Sequence, residues 1–146
     1  MNHHPNYIAT MRALAGRIRD VPKFSVWQFD MLCDWCAYFW NKGTISFVIE
    51  DGAAKGVCMI KLFSRLEQFL EPFVHEPGGQ FAMIESLAGD GPETFALLLK
   101  DLTGRWGYPP IVIWDRGLRT ESGAPRIFTW QDFEKLARRF THGLFP

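Results

Sequence analysis

Residues 80–115 carry the pattern that most constrains the fold. QFAMIESLA reads as a strand, GDGP as a tight turn, ETFALLLKDLTGRW as a helix and IVIWD as a second strand. A strand, a glycine turn, a helix and a strand make a β-α-β unit, and its right-handed crossover sets the two strands parallel. Pro92 suits the first helical position, with Asp90, Gly91 and Glu93 around the positive end of the helix dipole. Phe95, Leu98, Leu99 and Leu102 form the apolar stripe of this helix. The first-turn amides of such a helix lack internal acceptors, so an anion or a thioester oxygen can sit there.

Two helices precede this unit. Tyr7, Ile8, Met11, Leu14, Ala15 and Ile18 make one stripe over residues 6–19, ended by Asp20-Val21-Pro22. Ser25 and Gln28 have capping-box spacing and predict a second helix from Ser25 to about Trp40, apolar on most sides, with a stop at Asn41-Lys42-Gly43. TISFVIE and VCMIKLF are β-rich, and the intervening Asp51-Gly52 is a hairpin signal. Residues 64–79 read as a surface excursion that returns the chain to the sheet. Residues 116–125 read as a loop, and Thr129 as the cap of a last helix bearing Trp130, Phe133, Leu136, Ala137 and Phe140.

A length of 146 residues suits one domain, and 47% hydrophobic content is enough for a packed core. Sixteen basic residues balance sixteen acidic ones, which argues against a nucleic-acid footprint. The apolar runs are short, so neither a membrane span nor a signal peptide is expected. Three cysteines is an odd number, which suits reduced thiols and a cytoplasmic location.

The order of elements resembles the core of the GNAT superfamily of acyl-CoA-dependent N-acetyltransferases, as topology over residues 6–140. More loosely, HEPGGQFAMIESLAGDGPE resembles small phage- and bacterium-encoded proteins of that fold. The resemblance implies one GNAT-like domain over 1–146, of α/β (α+β) class, with a mixed central sheet flanked by helices. It implies a gap beside the strand before the turn, holding acetyl-CoA or another acyl-CoA against Leu87, Ala88, Gly89, Asp90, Gly91 and Thr94. Glu85 becomes the general base for a small-molecule or peptide amine, and a strand N–H near Leu87 or Ala88 holds the oxyanion. The family's loop begins with Gln or Arg, and this chain has neither ahead of Gly89-Asp90-Gly91. Asp90 and Glu93 stand where a pyrophosphate would approach, against a dipole attraction of only about 0.3–1 kcal/mol. The family's last β-hairpin is expected to be missing. The alternative implied is a non-catalytic interaction or structural protein that keeps the fold without the cofactor.

Other features carry two readings each. Glu85 alternates with Phe81, Met83 and Leu87, and either shares their apolar side or lies at a strand end facing water. The glycine turn is a cofactor loop or a plain strand-to-helix turn. Cys33 and Cys36 have C-x-x-C spacing but sit inside a helix, so burial is favoured over redox or zinc chemistry, and no metal site is expected. His75 and His142 are expected in surface loops. Arg116, Arg119, Arg126, Arg138 and Arg139 are interrupted by acidic residues and read as a solvated face rather than a phosphate contact. Trp27, Trp35, Trp40, Trp130 and Phe133 supply either one large core or a face for homo-oligomer formation.

Overall fold

A computed structural model of the chain describes residues 6–114 and 125–145. Helix α1 spans Tyr7–Ile18 and buries Met11, Leu14, Ala15 and Ile18. A 3-10 turn at Pro22–Phe24 follows, and helix α2 spans Phe29–Lys42. The expected helix start at Ser25 is wrong by one turn. The Ser25 hydroxyl donates to the Pro22 carbonyl instead of capping, and extended Gln28 precedes the first helical residue. Gly43 ends α2 in the left-handed conformation, as the stop signal predicts.

Strand β1 (Ile45–Glu50) and strand β2 (Ala53–Phe63) form an antiparallel hairpin. Asp51 and Gly52 both have positive φ, which gives a two-residue turn matched to strand twist. β2 therefore begins at Ala53 rather than Val57. Residues 64–79 make the excursion, with a 3-10 turn at Leu66–Leu70. Strand β3 (Phe81–Gly89) pairs antiparallel with β2. Helix α3 (Pro92–Trp106) leads to strand β4 (Ile111–Trp114), which pairs parallel with β3. Strand β5 (Arg126–Thr129), not expected from the sequence, pairs antiparallel with β4. Helix α4 (Trp130–Phe140) follows at once, and the Thr129 hydroxyl accepts the Asp132 N–H as its cap.

The five strands lie in the order β1-β2-β3-β4-β5, so the sheet is mixed and the class is α+β. Period-two alternation sends Val57 and Met59 to one face, against α1 and α2. Cys58, Ile60, Leu62, Ala82, Ile84 and Val112 go to the other, against α3 and α4. A third apolar group, including Phe63, Phe81, Met83 and Ile113, lies beneath the excursion through Val74 and Phe69.

Two details of β3 position the candidate site. Met59 pairs with Ser86 but Ile60 pairs with Ile84, so Glu85 is an extra, bulged residue. The bulge breaks alternation: Leu87 packs with the α3 side, whereas Phe81 and Met83 lie on the opposite face. β4 pairs with β3 only from Phe81 to Ile84. Residues 85–89 of β3 thus run past the end of β4.

Candidate functional site

Glu85 is buried, at 7% exposure, and faces water no more than a core residue does. Its Oε1 lies 3.1 Å from the Nζ of Lys61, and its Oε2 lies 3.4 Å from the Nζ of Lys23. Lys61 is itself 2% exposed. Its ammonium also donates to the carbonyl oxygens of Phe69, at 2.7 Å, and Glu71, at 2.8 Å. One buried cation therefore joins the bulge in β3 to the excursion over residues 64–79. Both oxygens of Glu85 are engaged by ammonium groups. Ser86 lies beside it, and its buried Oγ has no hydrogen-bond partner.

The excursion has its own polar clamp. The Oε1 of Gln68 accepts the backbone N–H of Arg65 at 2.8 Å, and its Nε2 donates to Glu76 at 2.7 Å. Hydrogen bonds from Gln68 and Ser64 hold the Glu76 carboxyl below its ordinary pKa. The segment is thus fixed at Gln68 and at Lys61.

The turn expected to bind a cofactor is shorter than the sequence implies. Leu87, Ala88 and Gly89 are strand, paired with Cys58, Val57 and Gly56. The Asp90 N–H donates to the Lys55 carbonyl at 2.9 Å. Antiparallel alternation turns the Ala88 amide the same way, toward β2, and points those of Leu87 and Gly89 the other way, past the end of β4. Of the two amides expected near the oxyanion, only that of Leu87 faces the open edge. The Asp90 carboxylate is 2.7 Å from the Arg17 guanidinium of α1. Gly91, at φ +107°, makes the bend into α3, a conformation that only glycine adopts without strain.

Thr94 faces the sheet. A Cβ on Gly56 would lie 2.3 Å from the Thr94 Cγ2, and one on Gly89 would lie 3.2 Å from the Phe95 ring. The paired glycines of β2 and β3 let the start of α3 sit directly on the strands. Their positions are explained by this close approach.

The remaining candidates separate clearly. Cys36 is fully buried, and desolvation pushes its thiol up to about 12. Cys58 is likewise buried and pushed up to about 12, and Cys33 is raised by burial to a lesser extent. All three are free thiols, and neither Cys33 nor Cys36 stands at a helix start. Among the described residues no three His, Cys, Asp or Glu side chains converge to hold a metal ion. Nor is any helix there long and apolar enough to cross a membrane. His142 is exposed, as expected. His75 also lies in a loop, the excursion, where it is half-buried 5.3 Å edge-on to Trp106, and burial and Lys42 lower its pKa. Arg126, Arg138 and Arg139 are exposed, and Arg138 pairs with Glu134 one turn back. Arg116 and Arg119 lie outside the described residues.

The aromatic side chains pack within the chain. Trp35 touches Phe24, Trp27, Phe39 and Phe73, and Trp40 stacks on Phe47. Trp130 and Phe133 belong to the α3–α4 core. Sequence reasoning missed Lys61, although a signal was present. A lysine alternating with Met59 and Phe63 on a core-facing strand demands a buried acceptor. Lys23 had no such signal, because its partner is 62 positions away.

Comparison with protein-family models, with curated proteins and with solved structures gives no match.

Proposed function

We propose that this chain is a non-catalytic interaction or structural domain built on an acyltransferase-like frame. The observation that carries the reading is the state of Glu85. A general base needs a free lone pair directed at the proton it removes. Both oxygens of Glu85 instead face Lys61 and Lys23, and Lys61 is tied to two carbonyls as well. Buried ion pairs are strongly destabilised when one partner is removed, so such a carboxylate is held in place rather than exchanged during turnover. The turn supports the same reading. Its Asp90 amide is used by Lys55, its Asp90 carboxylate by Arg17, and its Thr94 by the sheet. Free thiols fit a cytoplasmic location.

A second reading, acyl transfer, is favoured by one specific feature: β3 runs past β4, with the Leu87 and Gly89 amides directed to that side. There acetyl-CoA or another acyl-CoA would lie along Leu87–Gly91, and Glu85 would have to leave its lysines to serve an amine. Thermal unfolding with acetyl-CoA and with CoA separates the two. Ligand at 100 times its Kd adds about 2.7 kcal/mol, which for a domain this size raises Tm by roughly 5–10 °C. The non-catalytic reading expects a flat response at millimolar ligand. A saturable rise, kept in Glu85→Gln while turnover falls, would establish the second.

A further inference from the structure

A cavity of about 250 Å³ lies between α3 and α4 on the sheet face opposite Glu85. Cys58, Ile60, Ala82 and Val112 line it from the sheet, Leu102 from α3 and Phe133 from α4. Its mouth opens between Gly78–Gln80 and the Gly107–Pro110 turn. This is the opposite end of β3 from the Gly89–Gly91 turn.

The chemistry of the lining is one-sided. Among the described residues no Asp, Glu, Lys, Arg or His contributes to it. Three of the polar side chains present, those of Thr103, Trp106 and Trp130, are engaged elsewhere. Thr103 Oγ1 donates to the Leu99 carbonyl at 2.8 Å. Trp106 Nε1 donates to the Gly43 carbonyl at 2.9 Å, and Trp130 Nε1 donates to Glu134 at 3.0 Å. Burial keeps the Cys58 thiol protonated, so it adds polarisable apolar surface. Water needs two to four polar partners to settle in a cavity, and this lining is mostly apolar.

The walls are held before any ligand arrives. Gly79 N–H donates to the Glu76 carbonyl, Ile111 N–H to that of Gln80, and Trp130 N–H to that of Pro110. The last two bonds tie both lips of the mouth to the ends of β4 and α4. A ligand would therefore lose little affinity to ordering the site.

We propose that this cavity is a binding site for a small, neutral, aromatic molecule of about bicyclic size. A dry cavity of about 150 Å³ lined by Leu, Ile and Phe takes benzene, so the larger volume here accommodates a second ring. Trp106, Tyr108, Trp130 and Phe133 stand around it and offer ring edges and faces for offset and edge-on packing. The proposal is independent of acyl-CoA binding, because the two places lie at opposite ends of β3.

Indole is the probe, and indole-3-acetate, of similar ring size but charged, is the control. Indole at millimolar concentration raises Tm saturably and shifts the methyl resonances of Ile60, Leu102 and Val112. Indole-3-acetate binds about tenfold more weakly or worse, since burying its carboxylate finds no partner. Ala82→Leu fills the sheet side of the cavity and abolishes the indole response, and Leu102→Phe serves if that variant does not fold. The wild-type methyl shifts decide the matter if neither folds. The proposal is overturned by a flat indole titration, by methyl shifts scattered away from the cavity, by an undiminished response in a folded filled variant, or by equal binding of indole-3-acetate. A CoA response with no indole response would overturn this site and the non-catalytic reading separately.

Discussion

Replacing Lys61 with methionine tests the polar centre of the molecule. The substitution keeps the length and apolar stem of the side chain and removes only the ammonium. Four interactions go with it: the 3.1 Å pair with Glu85, the bonds to the Phe69 and Glu71 carbonyls, and the contact over the Phe63 ring at 5.8 Å. Glu85 is left 7% exposed with one remaining partner, Lys23, at 3.4 Å. Breaking a buried pair from one side costs about 3–5 kcal/mol. The two carbonyls add little, because Glu71 is exposed and Phe69 half-buried, so water can reach them. The expected loss is therefore about 3–5 kcal/mol, a large part of the 5–15 kcal/mol typical of a domain. Lys23→Met removes a longer pair whose lysine side chain is 21% exposed, and should cost no more than about 1 kcal/mol. Urea unfolding followed by far-UV circular dichroism reads both as midpoint shifts at constant slope. A midpoint shift for Lys61→Met no larger than that for Lys23→Met would refute the cost assigned to the buried pair.

Three further outcomes follow from the same geometry. Gly56→Ala should cost about 1–3 kcal/mol, because the new methyl meets Thr94 Cγ2, and Thr94→Ser should restore part of the loss in the double variant. Burial lowers the His75 pKa, so the unfolded chain binds more protons once pH falls below its ordinary 6.5. That contribution to stability is complete above pH 6.5 and declines below it, and His75→Gln should flatten the dependence measured by urea unfolding over this window. A thiol reagent under native conditions should label Cys33 ahead of Cys36 and Cys58, which react only on unfolding; rapid native labelling of all three would contradict their burial.

Much of the fold was legible because its signals are local. The stripe of α1, the Asp51-Gly52 hairpin, Pro92 at the start of α3 and the Thr129 cap each announce an element within a few residues. The crossover rule then supplied the parallel β3–β4 pair without any long-range information. The failures were of another kind. Ser25 has the letters of a cap, but its hydroxyl prefers the Pro22 carbonyl three residues back. β5 is four residues with mostly exposed side chains, so it carries little alternation to detect.

The site was harder for a physical reason. A bulge at Glu85 cannot be read from β3 alone, because it exists only in register against Met59 and Ile60. Gly89 and Gly91 suggested a loop that cradles phosphate. Gly89 is accounted for by the close seat of α3 on the sheet and Gly91 by its positive φ. The α3–α4 cavity gave no sequence signal at all, since its lining looks like ordinary core.

Glu85, the Asp90 amide and the Asp90 carboxylate are committed to the protein's own contacts, and in the non-catalytic reading the open Leu87 and Gly89 amides receive no ligand. Two-dimensional amide NMR with increasing CoA and acetyl-CoA tests this most directly, read at Leu87, Gly89, Gly91, Glu93 and Thr94. Those resonances should stay in place at millimolar ligand. Saturable shifts confined to those amides, accompanied by movement of the Ser86 amide next to the Lys61–Glu85 pair, would contradict it.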